Sequence, residues 1–418
     1  MQKLKVLSHK RPEQPFPTLN VGKSLNLLRS WDSEENAGIF SQQQLDKYFE
    51  RDNFTESDDI TNKTYDIVIA FGFSNFIFSK YYESIKKHIH SNTKFVLDFV
   101  GEGDSIANEF GQFESVVELY NLSIENFIIV SCATNLNVLY DEYCEDNNIS
   151  KKLTIYDDPY LQFVWFSNFH YAGLRGFSDL KILPNYDRIE SDVYFSFLNG
   201  HHQNPRFILL SLLCDYIDSK NIISYNCISI EPDSILEDDS LRNILIENKL
   251  LDASKKIINK LPIKIDLTGD DWKRYYIPKE LWDKSLFSII VETNPSLSDD
   301  AKSKTIFSTE KVHNALLNYR PFIVFGAKKY LEYLYILGFK TYDGFFDESY
   351  DSENVGLDRL YKIYQDINRI CNTPHNKLKS DVQNFHDIYI HNINNFHNII
   401  DNHSERIQKE ILNLLTGI

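Results

Sequence analysis

Four short apolar runs mark the first part of the chain, at residues 4–7, 65–71, 94–99 and 127–130. Each is apolar almost throughout instead of alternating, the pattern of strands covered on both faces of a parallel sheet. Longer polar or helix-like stretches separate them. Residues 81–90, with Ile85 and His88 spaced for one face, predict a crossover helix, and residues 136–144 predict another. Strands alternating with helices predict a parallel α/β sheet. The pattern dissolves over the aromatic, irregular residues 157–192 and restarts at Tyr194. Residues 194–198 predict a strand, Asn199-Gly200-His201-His202-Gln203-Asn204 a polar turn, and Pro205 opens a helix whose body is residues 206–217. Proline suits a first helical position because the N–H it lacks would be unpaired there anyway. Further strand candidates are residues 222–230, 262–267, 287–291, 322–325 and 339–342. Residues 328–337 predict a helix stopped by Gly338, since glycine readily takes the left-handed conformation that ends helices. From Leu357 on the chain reads as helical. Val382, Phe385, Tyr389, Ile393, Phe396, Ile400, Ile407, Ile411 and Leu414 recur at helical spacing with one gap, the mark of a long amphipathic helix broken once.

The expected organisation is therefore α/β: a Rossmann-like N-terminal domain over residues 1–185, a second over 190–380, and an amphipathic C-terminal helix over 381–418 that packs back on the first domain. A length of 418 residues supports two domains, because single cores stop growing well below that size. Hydrophobic residues at 42% and aromatics at 14% suffice for sizeable cores. The formal charge of −16 repels nucleic acid and anionic membranes and favours a neutral partner. Five scattered cysteines without a C-x-x-C pair read as free thiols in a reducing compartment. The N-terminal MQKLKVLSHK lacks the apolar core of a signal peptide, and no window has the length and apolarity of a transmembrane span. The expectation is a soluble, cytoplasmic protein.

Residues 287–326 carry the densest chemical signal. The run Phe287-Ser288-Ile289-Ile290-Val291 ends at Glu292, and a polar loop follows. Ser308-Thr309-Glu310-Lys311 then reads as a helix start, with a hydroxyl to cap free N–H groups and an acid in the first turn. Val312, Ala315, Leu316 and Tyr319 follow on one face, and Pro321 opens a second buried strand closed by Gly326. In open α/β sheets, ligands bind at the carboxyl ends of strands. Glu292, Thr309, Glu310 and Lys311 all fall at such a place, and a helix N-terminus beside a lysine suits phosphate. Taken singly, each residue has an ordinary reading: a surface lysine, a first-turn acid, a strand-end acid partnering a helix N-terminus.

The run Thr309-Glu310-Lys311-x-x-x-Ala315, with Phe307 before it and Pro321 and Gly326 after it, resembles the donor-binding motif of the α1,3-fucosyltransferase family. The upstream Phe287-x-x-x-Val291-Glu292-Thr293-Asn294 is similar to that family's strand ending in Glu-Asn-Ser. Tyr319-Arg320 stand where the family usually has a glycine before the proline. The resemblance implies a GT-B glycosyltransferase, two Rossmann-like domains facing a cleft, whose C-terminal domain holds a nucleotide-diphosphate sugar. It implies donor roles for Ser308, Thr309, Glu310, Lys311, Glu292 and Asn294. It extends them to Asn199, Gly200, His202 and Arg206 in the first loop of that domain, where a basic residue often holds the diphosphate. Arginine suits bidentate phosphate contact. It also implies an N-terminal-domain carboxylate as general base. Glu102, in Gly101-Glu102-Gly103-Asp104, is the first choice, and Asp98 and Asp104 are the reserves.

No Asp-x-Asp occurs; Asp157-Asp158 and Asp270-Asp271 are adjacent pairs. His201 and His202 lack a third ligand at metal-site spacing, and His386, His391, His397 and His403 fall on several helix faces. The expectation is transfer of a hexose or pentose to a hydroxyl acceptor, such as a glycan, inverting and without metal or further cofactor. One alternative is a phage-type glycosyltransferase acting on modified cytosine in DNA, against which the −16 charge counts. Another is a non-catalytic glycan- or nucleotide-binding GT-B protein, against which the intact Thr-Glu-Lys run counts.

Overall fold

A computed structural model describes residues 3–9, 42–54, 64–71, 82, 85–99, 110–150, 152–166, 193–227, 230–264, 284–293, 297–298 and 304–417. The chain divides into two compact units. The first comprises Met1–Asp179, Lys304–Phe307 and His397–Ile418, and the second Leu180–Ser303 and Ser308–Phe396.

The first unit is built on six strands: β1 (Leu4–His9), β2 (Phe49–Phe54), β3 (Ile67–Phe71), β4 (Lys94–Phe99), β5 (Phe127–Ser131) and β6 (Thr154–Tyr156). Their order is β2-β1-β3-β4-β5-β6 and every pairing is parallel. Alternate side chains of one strand enter opposite layers, as the pleat requires. Leu7, Val68, Phe95, Leu97, Phe127 and Ile129 pack with Phe113, Val117, Leu139 and Tyr140, from the helices Phe110–Leu119 and Leu136–Asp146. Val6, Ile67, Ile69, Val96, Ile128 and Val130 pack on the other side with Leu45, Leu161, Val164 and Trp165. Ile407, Ile411 and Leu415 of the last helix complete that second layer. Lys94 Nζ donates to the carbonyls of Leu414 at 2.9 Å and Leu415 at 3.3 Å, pairing groups left free at that helix's end.

The second unit holds β7 (Phe195–Asn199), β8 (Ile222–Tyr225), β9 (Phe287–Val291) and β10 (Phe322–Phe325). They form a parallel sheet ordered β10-β9-β7-β8. The chain moves from β7 outward to β8, then returns to the other side of β7 for β9 and β10. Strand order reverses between β7 and β9, and their exits leave in opposite directions. Such a switch point opens a crevice at the carboxyl ends.

The last part of the chain forms helices Gly356–Cys371, His375–Asn384 and His386–Thr416; the last helix is continuous across the gap in apolar spacing between Ile400 and Ile407, and the chain breaks at Phe385 instead. Tyr389, Ile393 and Phe396 are buried in the second unit, whereas residues 397–416 belong to the first. No helix among the described residues is long and apolar enough to cross a membrane.

Several local expectations change. The helix predicted over residues 206–217 is Asn204–Leu212 followed by a single 3-10 turn, Cys214–Tyr216. Of the residues described within 81–90, Tyr82 and Ile85 are helical, as expected, and Lys86–His88 close the stretch as a short 3-10 turn. Residues 339–342 form no strand. The Asn392 side chain takes both the N–H and the carbonyl of Lys340, at 2.8 and 2.9 Å, and Glu348 takes the Tyr342 N–H at 2.8 Å. Side chains thus occupy the groups a neighbouring strand would need. The strand predicted over 222–230 ends at Tyr225, which makes one antiparallel bridge to Ile263, and residues 265–267 of the candidate at 262–267 lie outside the described set.

Candidate functional site

The site lies at the carboxyl ends of β7 and β9. Glu292 follows β9 directly and is buried. Its Oε1 accepts from Thr309 N at 2.9 Å and Tyr330 Oη at 3.0 Å. Its Oε2 accepts from Thr293 N at 3.2 Å and, through a very short contact, from Thr309 Oγ1. Four donors on two oxygens fill the lone pairs of an ionised carboxylate. Burial pushes the Glu292 carboxyl above the ordinary range, while Lys311 and the Thr309 bonds pull it back. Of the two sequence readings of Glu292, this geometry is that of a strand-end acid holding the next helix start.

That helix is Glu310–Leu317, with Thr309 as its N-cap. Lys311 Nζ donates to Thr309 Oγ1 at 3.0 Å, Thr293 Oγ1 at 3.1 Å and Glu310 Oε1 at 3.2 Å. All three ammonium protons therefore have partners within one cluster, which is only partly exposed. Ser308 Oγ lies 2.6 Å from Tyr330 Oη and 3.2 Å from His313 Nε2. Ser308, Thr309, Glu310, Lys311 and Glu292 are thus brought together, and Tyr330, Thr293 and His313 join them. Asn294 lies outside the described residues.

Tyr330 reaches Glu292 because Gly326, at the end of β10, has no side chain. A Cβ there would stand 2.5 Å from Tyr330 Cδ2. Buried Asp351 fixes the backbone beyond, accepting from Tyr330 N at 3.0 Å and Leu331 N at 2.9 Å. The Arg359 guanidinium lies 3.8 Å from Asp351, 4.9 Å over the Phe325 ring, and donates to Ala327 O at 3.0 Å. The sequence reading missed this support. The i, i+4 spacing of Gly326 and Tyr330 was visible, but the need for glycine shows only in three dimensions.

Across the switch point, Arg206 stands in the first turn after β7 and is 4% exposed. It donates to His201 O at 3.2 Å through one terminal nitrogen and to Val291 O at 3.4 Å and Glu292 O at 3.3 Å through the other. It therefore spans the β7 exit and the β9 end. No carboxylate among the described residues lies within 4.0 Å of it, and Nε has no hydrogen-bond partner there. Burial lowers its pKa; Tyr225 and the carboxylates of Glu292 and Glu310 act the other way. Asn199 Nδ2 and Gln203 Oε1 in the same stretch are likewise buried without a partner among the described residues. His202 Nδ1 lies 2.9 Å from Tyr225 Oη, and burial holds its ring below the usual histidine range. Gly200 has open space where a Cβ would stand.

In the first unit, Asp98 lies within β4, one residue from its end, and is fully buried. Its charge adds to the burial that pushes the Cys132 thiol up. Glu102 and Asp104 lie outside the described residues. Among the described residues no group of three or more His, Cys, Asp or Glu could hold a metal ion. All five cysteines are free thiols.

The class defined by these observations is a protein of two parallel α/β units, the second carrying a buried cation and polar atoms unpaired among the described residues at its switch point. Set against protein-family models, curated proteins and solved structures, the chain matches none.

Proposed function

We propose that the chain is a glycosyltransferase of GT-B plan, with a nucleotide-diphosphate sugar held at the β7–β9 switch point of the second unit. The observation that carries this reading is Arg206, a buried guanidinium with no carboxylate within 4.0 Å among the described residues. A buried charge without a directly paired carboxylate is costly. An anion in the crevice would offset that cost, and Lys311 at the neighbouring strand end supplies a second cation. Asn199 Nδ2 and Gln203 Oε1 in the same β7–helix stretch, unpaired among the described residues, fit a polar ligand better than a dry core.

In this mechanism the two cations stabilise charge growing on the departing diphosphate, a task metals perform in other enzymes. A carboxylate of the stretch 98–104, Glu102 first, takes the proton of an acceptor hydroxyl, and the sugar is transferred with inversion. The resemblance of residues 287–326 to a nucleotide-sugar motif supports the choice of diphosphate over other anions. The test is a calorimetric panel of nucleotide sugars and nucleoside diphosphates, each with EDTA and with Mn²⁺. Binding of one such ligand in EDTA, lost in Lys311→Ala, is expected. Absence of binding across the panel, or binding only with metal, would defeat the reading.

A further inference from the structure

We propose that Tyr330 and His313 are positioning residues for the Lys311 ammonium, acting through a one-way chain of buried hydrogen bonds that passes through Glu292. The inference rests on the anion-site reading above and adds residues that neither sequence nor motif assigned.

The direction follows from counting protons. Thr309 Oγ1 receives Lys311 Nζ at 3.0 Å and Lys311 N at 3.4 Å, both obligatory donors, so its own proton goes to Glu292. Tyr330 has one proton and two oxygen neighbours, Glu292 Oε1 at 3.0 Å and Ser308 Oγ at 2.6 Å. With Glu292 ionised, that proton goes to the carboxylate, because a bond to a charged acceptor is the stronger. Ser308 must then donate to Tyr330, which uses its single proton. His313 Nε2, 3.2 Å from Ser308 Oγ, is left as the donor at that contact. The chain therefore runs from His313 to Ser308 to Tyr330 to Glu292, and Lys311 meets it from the other side through Thr309.

This arrangement aims Lys311. Two of its three proton acceptors are threonine hydroxyls anchored by Glu292, Thr309 directly and Thr293 through its backbone N–H. The third, Glu310 Oε1 at 3.2 Å, is partly exposed, and it is the contact an incoming anion can replace without disturbing Glu292. Removing the Tyr330 hydroxyl would leave Oε1 one donor short. It would also free the Ser308 proton to turn toward His313.

The experiment uses full-length wild-type protein and Tyr330→Phe, which keeps the ring against Gly326. Two readings are taken: inorganic pyrophosphate affinity by calorimetry, and the His313 tautomer by ¹⁵N NMR of histidine-labelled protein, assigned with His313→Gln. Wild-type His313 should carry its proton on Nε2. In Tyr330→Phe it should shift toward the Nδ1–H form, and pyrophosphate should bind about 2- to 10-fold more weakly, because only part of the lost hydrogen bond to the Glu292 carboxylate is felt at the Lys311 ammonium. If Tyr330→Phe does not fold, Ser308→Ala breaks the chain one link earlier and is read on the same His313 signal. An Nδ1–H tautomer in the wild type, or unchanged pyrophosphate affinity in Tyr330→Phe, would overturn the relay and leave the anion site standing. Failure of the wild type to bind either pyrophosphate or a nucleoside diphosphate would overturn the anion site, and the part given to Tyr330 with it.

Discussion

Replacing Glu292 by glutamine sets two effects of opposite sign against each other. The side chain keeps its shape and loses its charge. Burial has raised the carboxyl's pKa in the folded state. A raised folded pKa means the folded protein holds that proton more tightly than the unfolded chain. The group's stabilising contribution is then full at low pH and is lost as pH rises through the folded value. On that ground alone a neutral glutamine would stabilise the protein at neutral pH. The hydrogen bonds argue the other way. Oε1 accepts Thr309 N and Oε2 accepts Thr293 N, and a backbone N–H cannot turn round to accept. Whichever way the amide is flipped, its NH₂ faces one of these donors. The cheaper orientation still leaves one N–H without an acceptor, at about 1–3 kcal/mol, and it disturbs the Thr309 or Tyr330 hydroxyl as well. We expect the lost acceptor to win, because burial is already partly offset by Lys311 and the Thr309 bonds, which glutamine would also forfeit. Glu292→Gln should therefore destabilise the second unit by about 1–3 kcal/mol at pH 7. Each kcal/mol lowers the melting temperature by about 2–4 °C in a unit of this size. Urea unfolding monitored at pH 5 and pH 7 gives the measurement. A variant as stable as the wild type at pH 7, or more so, would show that desolvation outweighs the four donors and would remove the argument for an ionised Glu292.

Three further outcomes follow from the same geometry. Lys311→Ala should weaken nucleoside-diphosphate binding by about 1–3 kcal/mol, the range for a hydrogen bond to a charged group, and should also lower the melting temperature, because it removes the cation that offsets the buried Glu292 carboxylate; calorimetry below the melting range and a thermal scan separate the two effects. Gly326→Ala places a Cβ 2.5 Å from the Tyr330 ring and should cost about 1–3 kcal/mol by overpacking, whereas Gly200→Ala, with nothing within 4 Å, should melt like the wild type. His202 folds with a lowered pKa, so its contribution is present above the unfolded value of about 6.5 and is lost as pH falls below it. His202→Asn should therefore flatten the fall in stability on acidification measured by urea titration, and an unchanged slope would show that other groups set it.

What the sequence made legible follows the physics of each element. The strands β1, β3, β4, β5, β7 and β9, paired on both sides, announce themselves as apolar runs, and so does β10, an edge strand whose four residues are all buried. The edge strands β2 and β6 went unread. Phe49–Phe54 is FERDNF and Thr154–Tyr156 has only three residues, and at an edge half the cover is missing, so polar side chains are tolerated. At the site, the legible part is what local chemistry encodes: a hydroxyl cap at Thr309, a lysine in the first turn, an acid closing β9. Tyr330 was illegible because it meets Glu292 across 38 positions, through a contact that exists only once β9 and β10 are paired.

Arg206 shows the same division more sharply. Its type and its place after β7 were readable, and both pointed to an anion. Its orientation was not, because the Val291 and Glu292 carbonyls it meets come from a strand that is distant in sequence and adjacent only through the order β9-β7. Those bonds tie the two sides of the switch point together, so Arg206 does structural work before any ligand arrives. Its charge remains unanswered by any carboxylate within 4.0 Å among the described residues, and its Nε unpaired there. A residue recruited only to join two strand ends could have been a neutral donor at lower cost, since buried charge is costly and an amide can also donate to carbonyls. The retention of a full positive charge at that point is the strongest physical reason to look for a negative one in the crevice.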